Sequence, residues 1–482
     1  MDNNIGKRVI SGFIWKFGER ITAQLISLVV SIVLARLLTP TDYGIVAMVM
    51  VFIAIANVFV SSGLGTALVQ KKHADNLDFS SVFYLNIGVG IILYVLLFVT
   101  APFVSSFYNM PLLCPVLRVL GIRIIVASIN SVQQAYVSRN MLFKRFFWST
   151  LFGTLLSGIV GITMAYAGNG VWALVAQYLT NTCTDTIVLW ITVKWRPDLS
   201  FSWSRAKNLA SYGWKLLISG LLDTGYKQLR NLVIGKKYSS EDLAYYNQGD
   251  KYPSIIATNV NASINSVLFP AMAQFQDDIS KMKQMTRRSI QVSSYIMWPL
   301  MIGFATVAES LVKLLLTDKW LPAVPFIRIL CLSYGMWPIH TANLQAINAL
   351  GRSDLFMKLE VIKKAIGIFL IIIALNFGTL ALAYSVIAAD IICIFVNSSP
   401  NRKLLSYDVS EQLKDLLPGF FMSLVMAVAI YPIQYINVHS SIVLIAQIAV
   451  GTGVYVIESL VTHQESFRYM RQVIKKLKGG TS

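Results

Sequence analysis

Charged residues are scarce in this sequence. Only 13% of the 482 residues are Asp, Glu, Lys or Arg, whereas 55% are hydrophobic and the mean hydropathy is +0.61. A soluble protein of this length would carry about 25% charged residues. The scarcity excludes an ordinary soluble domain and indicates an all-α polytopic membrane protein.

Acidic residues and cysteines are also few. The 23 Asp and Glu residues are outnumbered by 41 Lys and Arg residues, which gives a net charge of +18. The basic residues occur in short runs between apolar segments, which is typical of cytoplasmic loops and argues against a nucleic-acid partner. The cysteines have neither disulfide nor metal-ligand spacing, so they predict no metal site. They are Cys114, Cys183, Cys331 and Cys393.

Long polar loops are absent as well. Apolar segments of membrane-spanning length follow one another with short connections, and we predict about fourteen transmembrane helices. The first segment lacks a small-residue cleavage site and is expected to remain as a helix. The spans are predicted near 10–38, 43–63, 81–104, 112–138, 146–167, 170–193, 207–236, 243–268, 286–316, 322–350, 354–376, 378–397, 411–436 and 440–462.

Basic residues between these spans lie mainly on one side of the predicted topology. Lys71, Arg139 and Arg402 are examples from that side, whereas Lys236 and Lys319 are among the few on the other. Because cytoplasmic loops carry the excess of Lys and Arg, this distribution predicts that both termini are cytoplasmic.

Two segments of the first half recur in the second half. Thr39-Pro-Thr-Asp-Tyr43 corresponds to Ser239-Ser-Glu-Asp-Leu243, and Pro115-Val-Leu-Arg118 corresponds to Pro325-Phe-Ile-Arg328. An even number of spans separates the copies, so the two halves should have the same topology. We therefore predict two pseudo-symmetric six-helix lobes, two further helices and a basic cytoplasmic tail. Their predicted boundaries are 1–200, 201–405, 406–465 and 466–482.

Charged residues interrupt the apolar sequence at 219–265. A charge at membrane depth costs about 2.5–3.5 kcal/mol on insertion scales, so such residues usually face a protein interior or a water-filled cavity. Asp223, Lys227 and Arg230 recur at helical spacing on one face of the seventh span. The eighth span has a similar polar stripe that includes Lys251. We predict that these two helices form one wall of a central cavity.

Several segments resemble polysaccharide exporters of the Wzx/WzxC type, whose superfamily also contains multidrug and toxin extrusion transporters and lipid II flippases. The resemblance rests on Ile32-Val-Leu-Ala-Arg-Leu-Leu-Thr-Pro-Thr-Asp-Tyr-Gly44, Gly170-Val-Trp-Ala-Leu-Val-Ala-Gln177, Trp320-Leu-Pro-Ala-Val-Pro325 and Leu350-Gly-Arg-Ser-Asp-Leu-Phe356. It implies two six-helix lobes arranged in a V around a central cavity. It also implies alternating-access transport of undecaprenyl-diphosphate-linked oligosaccharide across the bacterial inner membrane. Polysaccharide polymerases or other assembly proteins are the partners that would go with it.

A lipid-linked oligosaccharide needs fixed positive charge for its diphosphate and hydrogen-bonding side chains for its sugars. Arginine suits phosphate best because its planar fork binds two oxygens at once, whereas lysine acts as a point charge. The predicted substrate-binding residues are Arg20, Arg123, Lys215, Lys227, Arg230, Asn247, Lys251 and Asn261.

Each of these residues also has a structural interpretation. Arg123, which shares a face of the fourth span with Asn130 and Gln134, could instead pair with a carboxylate. Arg20 could extend to the cytoplasmic interface. Internal pairing is the alternative for the lysines of the seventh and eighth spans. The pairs in question are Lys227 with Asp223, and Lys251 with Asp250 or Glu309.

Carboxylates within the spans are candidates for a coupling ion. A buried carboxylate can exchange a proton near neutral pH, so H⁺ or Na⁺ coupling is expected and no other cofactor is predicted. The alternative is that these groups compensate nearby lysines. The candidates are Asp223, Asp250, Glu309 and Asp390.

Three other functions compete with polysaccharide transport. A lipid II flippase would have the same general architecture, and gene complementation would separate the two. A cation-coupled drug exporter favours an acidic or aromatic cavity, whereas this cavity is predicted to be cationic. A membrane polymerase or ligase needs a substantial outer loop for catalysis, so the sequence does not predict an enzyme.

Overall fold

The computed structural model describes residues 2–436 and 438–479, with side chains for 15–266, 268–436 and 438–472. The described residues form helices and no strand. The α-helices are α1 (Asp2–Leu37), α2 (Pro40–Ser61), α3 (Leu64–Gln70), α4 (Asn76–Tyr108), α5 (Leu113–Arg139), α6 (Phe143–Tyr166), α7 (Val171–Thr192), α8 (Trp203–Lys237), α9 (Ser240–Ala273), α10 (Ile279–Leu315), α11 (Val324–Gly335), α12 (Trp337–Ala349), α13 (Ser353–Ala374), α14 (Thr379–Leu404), α15 (Val409–Ile430), α16 (Ser440–Val461) and α17 (Glu465–Gly479). Two short 3₁₀ helices, Asp318–Ala323 and Tyr431–Tyr435, precede α11 and follow α15.

Each predicted span falls on one or two of these helices. The tenth span is divided into α11 and α12, because Pro338 lies at the start of the second piece and its ring cannot continue a helix interior. Ten helical segments of the described residues are long and apolar enough to cross a membrane. The predicted all-α polytopic architecture is confirmed, and the number of fourteen spans stays a prediction.

Four of the helices assigned to predicted spans are not among those ten segments. They are α7, α8, α9 and α13. Large apolar side chains remain exposed along many of the helices, for example Phe103, Ile191, Phe369 and Val428. In a membrane protein such residues contact lipid, so these faces belong to the lipid-facing surface.

The chain divides into two compact units, Met1–Ala244 and Tyr245–Ser482. In the first, α5 packs on α2, α4 and α7, while α6 packs on α1 and α7. In the second, α10 packs on α11, α12, α15 and α16, and α14 packs on α11, α12 and α13. The predicted lobe boundaries, which place the start of the second lobe before α8, stay predictions.

Glycines allow α8 to pack closely on other helices of the first unit. Gly213 of α8 lies against Gly63, where a Cβ atom on Gly213 would be 2.8 Å from the carbonyl carbon of Gly63. Gly63 has φ of +99°, a conformation that favours glycine. Near the other end of α8, a Cβ atom on Gly235 would be 3.2 Å from the side chain of Met48. The contact between α2 and α8 therefore extends along most of both helices.

The two repeat-related turns before α2 and α9 have the same local structure. The Thr39 side chain donates to Asp42 Oδ2 at 2.7 Å and accepts from the Asp42 amide, while Ser239 and Asp242 repeat both contacts at 2.7 and 2.9 Å. The turns also touch each other, because Thr41 Oγ1 donates to Glu241 Oε1 at 2.8 Å. The match seen in the sequence thus corresponds to a repeated helix start.

A charged cluster fixes the loop between α3 and α4. The Lys71 ammonium lies 2.7 Å from Asp78, whose side chain is fully buried, and Arg205 of α8 pairs with both Asp78 and Asp75. The Arg205 guanidinium holds the pKa of Asp75 at about 2, below its usual value. Arg139 of α5 donates to the carbonyl groups that end α3. These contacts join four helices of the first unit at one end.

Candidate functional site

A polar cavity of about 350 Å³ lies between α2, α5 and α7 in the first unit. Its polar residues lie at helical intervals on each helix, so three polar stripes converge within an otherwise apolar bundle. The volume falls in the range of about 300–1,000 Å³ that is typical of small-molecule sites. The polar lining consists of Asn57, Ser61, Arg123, Asn130, Ser131, Gln134, Asn181, Thr182 and Asp185.

Arg123 supplies the positive charge of this cavity. Its Nε donates to Thr182 Oγ1 at 2.9 Å, and its guanidinium carbon lies 5.2 Å from the ring centre of Tyr178. Its Nη1 lies 3.4 Å from the sulfur of Met50. Within the part of the chain that the structure describes, Arg123 forms no ion pair with a carboxylate. The carboxylate alternative raised by the sequence is therefore not realised.

The acidic group of the cavity is held by an amide rather than by a cation. Asn130 Nδ2 donates to Asp185 Oδ2 at 2.7 Å. The other amide atom of Asn130, Oδ1, is buried and accepts no hydrogen bond from the protein. Burying an acceptor without a partner is costly, which makes this oxygen available to a donor in the cavity.

The sequence placed three of these residues on one face of a helix and did not identify the others. Asn130 and Gln134 were expected on the face of Arg123, and all three line the cavity. Asn57, Asn181 and Asp185 were not identified. A signal was present, because Asn181 and Asp185 are four residues apart and Asp185 is the one charged residue in the sequence of α7.

Most of the other predicted cations lie on α8 and α9 outside this cavity. Lys227 lies 2.7 Å from Asp223, and both side chains are substantially exposed, at 69% and 45%. Internal pairing, the structural alternative, is thus realised for Lys227 and for the coupling candidate Asp223. Lys215 is exposed and Arg230 is half-buried on the same helix.

The polar residues of α9 interact with α11 and α12. Tyr334 donates to Asp250 at 2.7 Å, and Thr341 donates to Asn261 at 3.0 Å. Asn247 and Lys251 are half-buried. Because α8 belongs to the first unit and most of α9 to the second, the single wall expected from 219–265 stays a prediction.

The remaining site candidates lie in separate places. Arg20 is exposed on α1. Among the described residues, Glu309 pairs with Lys313 at 2.9 Å and with Arg328 at 3.6 Å rather than with Lys251. Asp390 accepts a hydrogen bond from Ser333. None of the four coupling candidates is in the lining of the cavity at Arg123.

A second group of buried polar residues joins α12, α14 and α15. Asn343 donates to Gln412 at 2.7 Å and accepts from Asn401 at 2.6 Å, and Ser398 donates to the same Gln412 at 2.8 Å. These groups mainly satisfy one another. We therefore interpret this layer as structural, because a well-paired polar network fixes how helices pack.

The chain is similar to known proteins of polysaccharide biosynthesis. A family model described as polysaccharide biosynthesis protein matches residues 33–325. The teichuronic acid biosynthesis protein TuaB of Bacillus subtilis is 24% identical over 91% of this chain and 91% of its own. The lipopolysaccharide biosynthesis protein WzxC of Escherichia coli is also 24% identical, over 89% of this chain and 88% of its own.

Among solved structures, the lipid II flippase MurJ in an inward closed conformation is similar to this chain. Its TM-score is 0.73 at 15% sequence identity, and the match covers 95% of this chain and 99% of MurJ. This likeness shows the fold, and the match of the family model over more than half of the sequence shows the family. The chain is a multi-pass membrane protein that belongs to the polysaccharide biosynthesis protein family.

Proposed function

We propose that this protein is a flippase that moves oligosaccharide linked to undecaprenyl diphosphate across the bacterial inner membrane by alternating access. The observation that carries the proposal is the polar cavity between α2, α5 and α7 in a chain of a polysaccharide biosynthesis family. A helix bundle in lipid does not need so many amide groups around a cation for its own packing. A sugar that crosses the membrane needs such groups as hydrogen-bonding partners.

The cavity has the chemistry of a sugar site more than that of a diphosphate site. It contains one arginine and one aspartate, so its charges balance, and amides and hydroxyls make up most of its polar lining. Amide and hydroxyl groups both donate and accept, which matches the hydroxyl groups of a sugar. The diphosphate, which carries at least two negative charges, is assigned to the predicted cations Lys215, Arg230 and Lys251.

The orientation follows the distribution of basic residues, with both termini in the cytoplasm. Transport is assigned to coupling with H⁺ or Na⁺, and the candidate carboxylates are Asp223, Asp250, Glu309 and Asp390. Asp250 and Asp390 accept hydrogen bonds from hydroxyl groups, and Asp223 and Glu309 lie next to lysines. The partners are the lipid-linked substrate, the bilayer and the polymerase or assembly proteins that receive the product.

A lipid II flippase and a multidrug exporter share this architecture. The lining has one arginine, one aspartate and mostly amide and hydroxyl groups, which suits a hydroxylated substrate better than an organic cation. Similarity to MurJ is similarity of fold at 15% identity, so it does not favour lipid II over another lipid-linked glycan.

Replacement of Arg123 by glutamine tests the proposal in cells. A bacterial strain that lacks its own exporter and depends on this protein for surface polysaccharide would carry either the parent chain or Arg123→Gln. A charge-assisted hydrogen bond is worth about 1.5–3 kcal/mol, so we expect about a tenfold or greater loss of surface polysaccharide. The measurement is cell-surface glycan, with membrane levels of the protein checked in parallel.

Arg118→Gln is the matched control on the same helix. The Arg118 guanidinium lies 4.2 Å from the ring centre of Phe98, outside the cavity, so this variant should export normally. The triple change Lys215→Gln, Arg230→Gln and Lys251→Gln tests the cations assigned to the diphosphate separately, and export should be lost there too. Normal export by Arg123→Gln at normal membrane levels would contradict the role of the cavity.

A further inference from the structure

The last helix, α17, is separated from the final predicted span by a fixed turn. Thr462 ends α16, and His463 has φ of +51°. The Gln464 amide donates to the Ser459 carbonyl at 3.2 Å, and the Arg468 amide donates to Gln464 at 3.1 Å. Because these backbone groups are satisfied locally, the turn holds α17 at a defined angle to α16.

One face of α17 is anchored to the second unit. Phe467 and Met470 pack against a cluster that contains Tyr295, Met422 and Tyr455. Between these two residues in the sequence, Tyr469 contacts Arg288 of α10, with 3.9 Å between the guanidinium carbon and the ring centre. The helix is therefore held by apolar contacts and a cation–π contact, and it does not project freely.

A neighbouring face of the same helix is basic and exposed. Arg468 and Arg471 are exposed, and neither forms an ion pair with a described residue. Their spacing of three continues in the sequence with Lys475 and Lys478, at intervals of four and three, although those two side chains lie outside the described residues. Exposed basic residues that directly follow a membrane-spanning helix are typical of sites that attract anionic lipid headgroups.

The adjoining surface of α16 places this basic face at the edge of the lipid-facing region. Ile457, Leu460 and Val461, in the last turns of α16, are largely exposed apolar residues. They contact lipid in a membrane protein, and α17 begins only four residues after Val461. The exposed arginines consequently lie at about the depth of the lipid headgroups.

We infer that the basic face of α17, together with Arg288, binds the headgroups of anionic phospholipids. Fixed guanidinium groups pair with phosphate oxygens, and an interfacial helix already held by its apolar face loses little further freedom on binding. A zwitterionic headgroup has no net charge to offset the exposed arginines, so the site selects lipids such as phosphatidylglycerol. This inference concerns lipid binding and does not depend on the identity of the transported substrate.

The test compares lipid affinity between charge variants of the full-length protein. The purified chain would be titrated with phosphatidylglycerol or phosphatidylcholine in detergent micelles, and binding followed by the rise in melting temperature. Each basic residue near an anionic lipid surface is worth about fivefold in affinity, so Arg468→Gln with Arg471→Gln should weaken phosphatidylglycerol binding about 25-fold. Binding of phosphatidylcholine should be weak in both proteins.

Two further variants complete this test. Arg402→Gln with Lys403→Gln removes two exposed cations from the last turn of α14 and should leave the affinity for phosphatidylglycerol unchanged. Arg468→Lys with Arg471→Lys keeps the charge and should retain most of the binding. Equal affinity of the parent and the Arg468→Gln, Arg471→Gln protein for phosphatidylglycerol, or equal affinity of the parent for both lipids, would overturn the inference.

Discussion

Arg123 and Lys227 are both cations within predicted spans, yet their surroundings give them different roles. Lys227 has an aspartate 2.7 Å away on its own helix, so much of its charge is offset. Arg123 has a threonine and an aromatic ring as neighbours, so its charge is available to a ligand. The pairing of Lys227 with Asp223 could be predicted from their spacing along one helix. The surroundings of Arg123 depend on α7, which is distant in the sequence.

The Asp75–Arg205 contact makes a prediction about pH. The Arg205 guanidinium lowers the pKa of Asp75 from 3.8 to about 2. Since this pKa lies below its value in the unfolded chain, the ionised carboxylate stabilises the fold fully above about pH 4, and this contribution is lost as the pH falls through about 2. Arg205→Gln should raise the pKa of Asp75 towards its ordinary value.

The measurement for this prediction is the carboxyl chemical shift of Asp75 as a function of pH, in protein labelled with ¹³C at aspartate. Arg352→Gln is a matched control, because Arg352 lowers the pKa of a different residue, Asp354, to about 2 in the same way. That variant should raise the pKa of Asp354 and leave the pKa of Asp75 unchanged. An unchanged Asp75 titration in Arg205→Gln would contradict the assigned cause.

At the scale of elements, the contact between the turns preceding α2 and α9 depends on a glycine. A Cβ atom on Gly44 would lie 1.9 Å from the carbonyl oxygen of Ser240, so Gly44→Ala should force the two turns apart. Overpacking of this kind costs about 1–3 kcal/mol, which lowers occupancy of the contact by about 30-fold at the midpoint of that range. Occupancy of the contact would be measured by replacing Thr41 and Glu241 with cysteines and following their reaction with a short thiol cross-linker.

The control for this experiment is Gly225→Ala, since a Cβ atom on Gly225 would meet nothing within 4 Å. The four natural cysteines would be replaced beforehand so that only the introduced pair reacts. Cross-linking should persist in Gly225→Ala and decrease in Gly44→Ala. The same cross-linking in both variants would show that Gly44 is not needed for the contact.

The sequence predicted the helices better than it predicted their contacts. Hydropathy and length located the helices in order, and the repeated Thr39 and Ser239 turns identified two equivalent helix starts. The close packing of Gly63 on Gly213 was not foreseen, because it depends on two backbones that are distant in sequence. For the same reason only the α5 residues of the cavity were named from the sequence, while those of α2 and α7 were missed.

At the scale of the whole molecule, the chain combines a multi-pass membrane fold with membership of the polysaccharide biosynthesis protein family. The fold is shared with MurJ, and the family model matches residues 33–325. The polar residues are distributed over both units, with a balanced cavity in the first and hydroxyl-bound carboxylates in the second. We propose that the first unit binds the sugar and that the second contributes to the coupling of transport to an ion.

Flipping by the purified protein tests this account most directly. Proteoliposomes containing the protein would receive a fluorescent oligosaccharide on undecaprenyl diphosphate, and the fraction accessible to a membrane-impermeant quencher would be followed over time. We expect rapid flipping by the parent chain and by Arg118→Gln, and flipping slower by about tenfold or more for Arg123→Gln. A parent chain that flips the oligosaccharide no faster than empty liposomes, or that flips lipid II instead, would contradict the account.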